Sequence, residues 1–188
     1  GNQSASKGQQ MVPEVEVVSI QLQNIAWDQT YPARIEGIRS AEIRPRVGGI
    51  LIHRSYVEGS VVKAGDVLFQ IDPATYEIAV EKAQADYDSA LAREKQASGD
   101  LERVNRLFAT GSVSDKQHDD AQAAFDLAKA ASMSAHALLR QAQLNLDYSS
   151  VKAPFAGVTG MENLSEGSLV SSADKLTVVT QLDPIHIL

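Results

Sequence analysis

Four histidines, His53, His118, His136 and His186, are the side chains of this sequence best suited to metal ligation or to proton transfer near neutral pH. They share no ligand spacing. The nearest approach to a cluster, His118-Asp119-Asp120, is a run of charge whose ordinary reading is a solvated helix face. Cysteine is absent, which removes disulfides, thiolate nucleophiles and cysteine-based metal sites. No Ser-His-Asp ordering and no paired-carboxylate context stands out. Gly48-Gly49 lies among β-branched residues and opens no helix, so it makes a poor phosphate loop. The residues predict no catalytic centre, no metal site and no bound cofactor.

Charge narrows the partners. Lys and Arg number 17 against 24 Asp and Glu, a net charge of −7 over 188 residues. Nucleic-acid binding needs a dense cationic face, and none is visible, so nucleic acid is excluded as a partner. No apolar run approaches the length of a membrane-spanning helix, and no stretch of these residues reads as a signal peptide. Residues 1–11 are small and polar and read as a disordered leader. The apolar fraction is an ordinary 44%, yet aromatics make only 5%, and alanine supplies much of the apolar count between Tyr76 and Ala142. Slender, closely packed helices are expected there.

The elements that carry any function follow from periodicity. Residues 12–40 show strand signals, with Val15, Val17 and Ile20 alternating against polar residues and a second run from Thr30 to Ile38. Residues 41–72 are β-branched and punctuated by glycine, with turns expected at Gly48-Gly49, Glu58-Gly59 and Gly65-Asp66. At Asp72-Pro73, an N-cap and first-turn pair, the period changes. Tyr76, Val80, Ala83, Tyr87, Ala90, Glu94, Ala97, Leu101, Val104 and Phe108 follow the 4-3 spacing of a coiled-coil seam, with Glu94 its single charged member. Gly111 ends that helix, and Ser114 with Gln117 reads as the capping box of another. Its seam is Ala121, Ala128, Ala135 and Ala142, flanked by Phe125, Ser132, Leu139 and Leu146. Two such helices joined by about five residues run antiparallel, each roughly 50 Å long.

An internal repeat flanks the hairpin. Pro45, Gly49, Glu58-Gly59-Ser60, Asp66, Leu68 and Ile71-Asp72-Pro73 recur in order as Pro154, Gly157, Glu166-Gly167-Ser168, Asp174, Leu176 and Leu182-Asp183-Pro184. Each copy is too short to bury its own face, so two pseudo-symmetric halves must close on one another. The fold class is α+β: a β-sandwich over 41–72 and 149–183, split by a helical hairpin over 73–148, with partial β-barrel strands over 12–40 and 184–188.

The run from Val57 to Leu68 resembles the first half of a lipoyl or biotinyl carrier domain. A hairpin inserted between two such halves is similar to the membrane fusion proteins of bacterial efflux systems. The segments Ala41–Ile50 (AEIRPRVGGI), Ile71–Tyr76 (IDPATY) and Gln181–Ile187 (QLDPIHI) are similar to the adaptors of resistance-nodulation-division (RND) pumps, the AcrA-like group. The resemblance covers nearly everything from residue 12 onward.

It implies a periplasmic adaptor of a Gram-negative bacterium, joining an inner-membrane RND transporter to a TolC-type outer-membrane channel, with copies arranged in a ring, a hexamer in the assembled pump. In that family an Arg, a Leu four residues on and a Ser seven further mark a channel-docking tip, and Arg103, Leu107 and Ser114 match that spacing. The resemblance also implies a lipid anchor on the full-length protein and further β structure beyond Leu188, so this chain reads as a segment of a longer one.

Simpler readings stand beside these. Ser114 caps a helix, Leu107 widens the core stripe beside Val104 and Phe108, and Arg103 pairs with Asp100 at i,i+3. A carrier domain is a rival function, but the junction Asp72-Pro73-Ala74-Thr75 offers no lysine for a swinging arm; Lys175, after Asp174, falls in the second copy. An adaptor for an ABC-type or major-facilitator exporter is another rival. Alanine seams bury little area per pair, which predicts lateral packing of several hairpins.

Overall fold

The computed structural model describes residues 38–182. The leader expected over 1–11, and most of the strands expected over 12–40 and 184–188, lie outside the described residues. Short β-branched runs form strands β1 (Ser40–Ile43), β2 (Gly49–Arg54), β3 (Val61–Val62) and β4 (Val67–Ile71) before the helices. Strands β5 (Ser150–Lys152), β6 (Gly157–Thr159), β7 (Leu169–Val170) and β8 (Thr177–Gln181) follow them. Between β4 and β5 stand helices α1 (Ala74–Ala109) and α2 (Asp115–Tyr148).

The strands build two four-stranded sheets, ordered β1-β8-β6-β3 and β5-β4-β2-β7. Exchanging each strand for its counterpart in the other repeat copy, β1 for β5 through β4 for β8, converts one order into the other. Each sheet takes two strands from each copy. Each copy pairs two strands of its own, β2 with β4 and β6 with β8, and the outer strands of each sheet come from the other copy. The turns obey the same symmetry. Gly59 donates to the Thr159 carbonyl at 3.0 Å and Thr159 to that of Ser60 at 3.0 Å, while Gly167 donates to Leu51 at 2.6 Å and Leu51 to Ser168 at 2.8 Å. The Asp66 carboxylate accepts from Lys63 N–H at 2.9 Å, as the Asp174 carboxylate accepts from Ser171 N–H at 2.8 Å.

The core lies between the sheets. Ile43, Val62 and Val179 from one sheet meet Leu51, Leu68, Phe69, Ile71, Val151 and Val170 from the other. The turn expected at Gly48-Gly49 is displaced. The chain bends at Arg46-Val47, and Gly49 already opens β2. A Cβ on Gly49 would stand 2.7 Å from Ile71 Cγ2, so glycine serves a close strand approach there instead of a turn.

The hairpin follows its seam. Each seam position of α1 from Tyr76 to Val104, and of α2 from Ala121 to Leu146, is buried or half-buried. The helices run antiparallel: Tyr87 lies against His136 (5.0 Å between ring centroids), Glu94 accepts from the Ser132 hydroxyl at 2.6 Å, and Asn105 meets His118 at 2.9 Å. Glu94 is tolerated in the seam because buried Ser132 satisfies its carboxylate. With 36 and 34 residues, the helices are about 54 and 51 Å long. At the foot, the Asp72 carboxylate accepts the Ala74 N–H at 3.0 Å, so Asp72 supplies the cap while Pro73 leads the first turn. The Tyr76 hydroxyl donates to the Gly48 carbonyl, tying α1 to the sheets.

Candidate functional site: the hairpin tip

The tip is shaped by two local devices. At the end of α1, Gly111 adopts φ +72°, a left-handed conformation that glycine takes without steric strain. This lets Gly111 N–H donate to the Phe108 carbonyl at 3.0 Å and Ser112 N–H to that of Leu107 at 2.8 Å. Those two bonds are the Schellman closure of a helix C-terminus. The Thr110 hydroxyl adds a third bond to Leu107 at 3.0 Å. At the start of α2, Gln117 N–H donates to the Ser114 hydroxyl at 3.1 Å, and Ser114 N–H donates to the Gln117 side chain at 2.9 Å. That reciprocal pair is a capping box. Orphan backbone groups on both sides of the turn are therefore satisfied, and the turn is held in one shape.

On this frame Arg103, Leu107 and Ser114 all lie exposed near the turn. Arg103 pairs with Asp100 at 3.0 Å, both well solvated, a bond worth little by itself. Leu107 is 41% exposed. It does not widen the buried stripe; an apolar side chain is left facing water. Ser114 spends its hydroxyl on the cap while remaining at the surface.

The seam ends sooner than its spacing predicts. Phe108 is 39% exposed instead of buried. Its ring stacks on His118, 4.3 Å between centroids at an interplanar angle of 15°, and His118 Nε2 bonds Asn105 Oδ1 at 2.9 Å. His118 thus ties the helices together just below the turn, a role hidden by reading it with Asp119 and Asp120 as a charged surface. A signal existed: His118 precedes Ala121 by three residues, as Ala121 precedes Phe125 by four, so it continues the seam. The junction between β4 and β5, where a carrier domain would present its lysine, is occupied by the hairpin itself.

Among the described residues, no three or more His, Asp or Glu side chains are placed to hold a metal ion. No helix among them is long and apolar enough to cross a membrane.

Residues 39–182 match the family "RND MFP, barrel-sandwich hybrid domain", MFP denoting membrane fusion protein. The chain is 47% identical over 178 residues to the efflux pump periplasmic linker BepD of Brucella suis biovar 1, covering 93% of this chain and 45% of that protein. It is 37% identical over 188 residues to the multidrug efflux pump subunit AcrA of Escherichia coli K12, covering 99% of this chain and 47% of that protein. Among solved structures it is similar to ZneB from Cupriavidus metallidurans, with a TM-score of 0.55 and 25% identity, over 76% of this chain and 61% of that one. The chain spans about half the length of the curated relatives it matches.

Proposed function

The chain belongs to the membrane fusion protein family of RND systems, and from that premise we propose that it is the arm-bearing part of a periplasmic adaptor in a tripartite multidrug efflux pump. The hairpin reaches across the periplasm, and its tip docks on the helical ends of a TolC-type outer-membrane channel. The transporter at the other end is of the RND type, engaged mainly by regions outside this chain. Copies pack side by side as a ring, six in the assembled pump. The names of its relatives, a periplasmic linker and an efflux pump subunit, support this reading.

One observation carries the docking assignment. Leu107 is held in water at the end of a 36-residue helix by a closure that uses its own carbonyl twice. An apolar side chain kept rigid and exposed beside Arg103 is suited to burial against a partner. Each tip contact is small, so strength comes from several copies acting together.

The test is Leu107→Asp and Arg103→Asp in cells that depend on the pump for drug resistance. Both positions are exposed, so helical content and unfolding temperature should stay near wild type. Resistance should be lost, and so should crosslinking to the channel from a cysteine placed at Ser114. Normal resistance in both variants would remove the tip assignment.

A further inference from the structure

At the foot of the hairpin a cleft of about 540 Å³ opens between the end of α2 and the strands β1 and β5 of the two sheets. Among the described residues, strand β1 pairs with β8 alone and strand β5 with β4 alone, so each is the last described strand of its sheet, and both line this cleft. The floor is apolar, with Ile43 5% and Val151 7% exposed. The mouth is charged. Arg44 pairs with Glu42 at 2.8 Å and also donates to the Ala173 carbonyl, while Lys152 pairs with Asp147 at 3.0 Å. The hydrogen bond and positive charge of Arg44 hold the Glu42 carboxyl below its ordinary value, so that carboxylate is ionised at neutral pH.

Arg46 is different. It has no carboxylate within ion-pair distance among the described residues, and its guanidinium lies over the Tyr148 ring, 4.8 Å from the centroid. With Arg44 and Lys152 already matched, Arg46 leaves the cleft one positive charge in excess, within a chain of net charge −7. A guanidinium stacked on an aromatic face keeps its edge free to donate, and that edge matches a carboxylate or sulfonate in a bidentate fashion. The volume falls within the range of small-molecule sites, roughly 300–1,000 Å³.

We propose that this cleft binds a small, soluble amphipathic monoanion, whose acid group meets Arg46 while its apolar body lies along Tyr148 and the floor formed by Ile43 and Val151. The site does not depend on the docking role of the tip. A ligand there touches α2, β1 and β5 together, so it joins the foot of the arm to both sheets. Binding to the folded state alone also raises the unfolding temperature, and goes on raising it as ligand concentration climbs above the dissociation constant.

The probe is 8-anilinonaphthalene-1-sulfonate, followed by fluorescence and by thermal unfolding, with the neutral N-phenyl-1-naphthylamine as its uncharged counterpart. The sulfonate should bind with saturable one-to-one stoichiometry and raise the unfolding temperature. Arg46→Gln should weaken it by about tenfold, the weight of one charge-assisted bidentate contact, and Arg46→Lys by less. The neutral probe should bind Arg46→Gln and wild type equally. Amide shifts on adding the sulfonate should centre on Val151 and Lys152. Equal sulfonate affinity in wild type and Arg46→Gln would overturn the site. So would shifts confined to the outer face of the hairpin around Leu127. Should Arg46→Gln be unstable, Tyr148→Ala removes the stacking platform without changing charge, and unaltered affinity in that variant overturns the site as well.

Discussion

Arg54 shows how much one residue holds together when the two halves interlock. Its guanidinium meets Glu58 at 2.6 Å and Glu162 at 3.2 Å, and lies over the Tyr56 ring at 5.6 Å. The carboxylates also cross between copies: Glu166 accepts the Arg54 N–H at 3.0 Å, and Glu58 accepts the Glu162 N–H at 3.1 Å. Glu58 and Glu166 are equivalent residues of the repeat, each bonding the backbone of the opposite half. Removing the cation leaves two adjacent, half-buried carboxylates uncompensated. The loss for a fully buried pair is 3–5 kcal/mol, and partial exposure reduces it here to about 2 kcal/mol. Urea unfolding of Arg54→Met should report that loss, and adding Glu162→Gln should recover part of it. A cost under about 0.5 kcal/mol would place this cluster among ordinary surface pairs. The Glu162 contact was not legible in the sequence, because Arg54 and Glu162 stand 108 positions apart, whereas Glu58 is a near neighbour of Arg54.

Among the elements, the hairpin was the most legible, because its signals are local. The seam, the Gly111 stop and the Ser114–Gln117 box each depend on residues within one or two turns of one another. Substitution should separate the two roles of Ser114. Ser114→Ala should cost about 1 kcal/mol of hairpin stability, whereas Ser114→Asp keeps a capping oxygen and should cost far less. Circular dichroism melts decide this; equal losses in both variants would mean that the cap does not hold the turn. Gly111→Ala, forced into left-handed φ, should cost about 1 kcal/mol in the same assay. Spacing misled only at the very end. A 4-3 pattern counts Phe108 into the core, yet near a helix end there is less partner surface to cover it, and it settles for the face of His118.

At the scale of the molecule, the chain leaves β4 and re-enters β5 as neighbouring antiparallel strands, with Gln70 opposite Ser150. A short turn should therefore replace everything between Asp72 and Ser149, leaving a folded β module with dispersed amide resonances. Collapse of that variant would mean that the hairpin is part of the core. Outside its seam, α2 exposes Leu127, Met133, Leu138 and Leu144. Sedimentation should find concentration-dependent association of the chain, reduced in Leu127→Glu with Leu138→Glu; a strict monomer with a stable hairpin would refute lateral packing. The helical arm, its caps and the presence of two matching β halves could be read from the amino-acid order, since periodicity, capping and repetition are properties of neighbouring residues. It took the folded chain to show that each sheet draws strands from both halves, that Arg54 joins them, that His118 closes the tip and that Arg46 has no carboxylate at ion-pair distance among the described residues. Those facts depend on side chains meeting across long stretches of chain, and such meetings are selected by the closing of the core, not by any local preference.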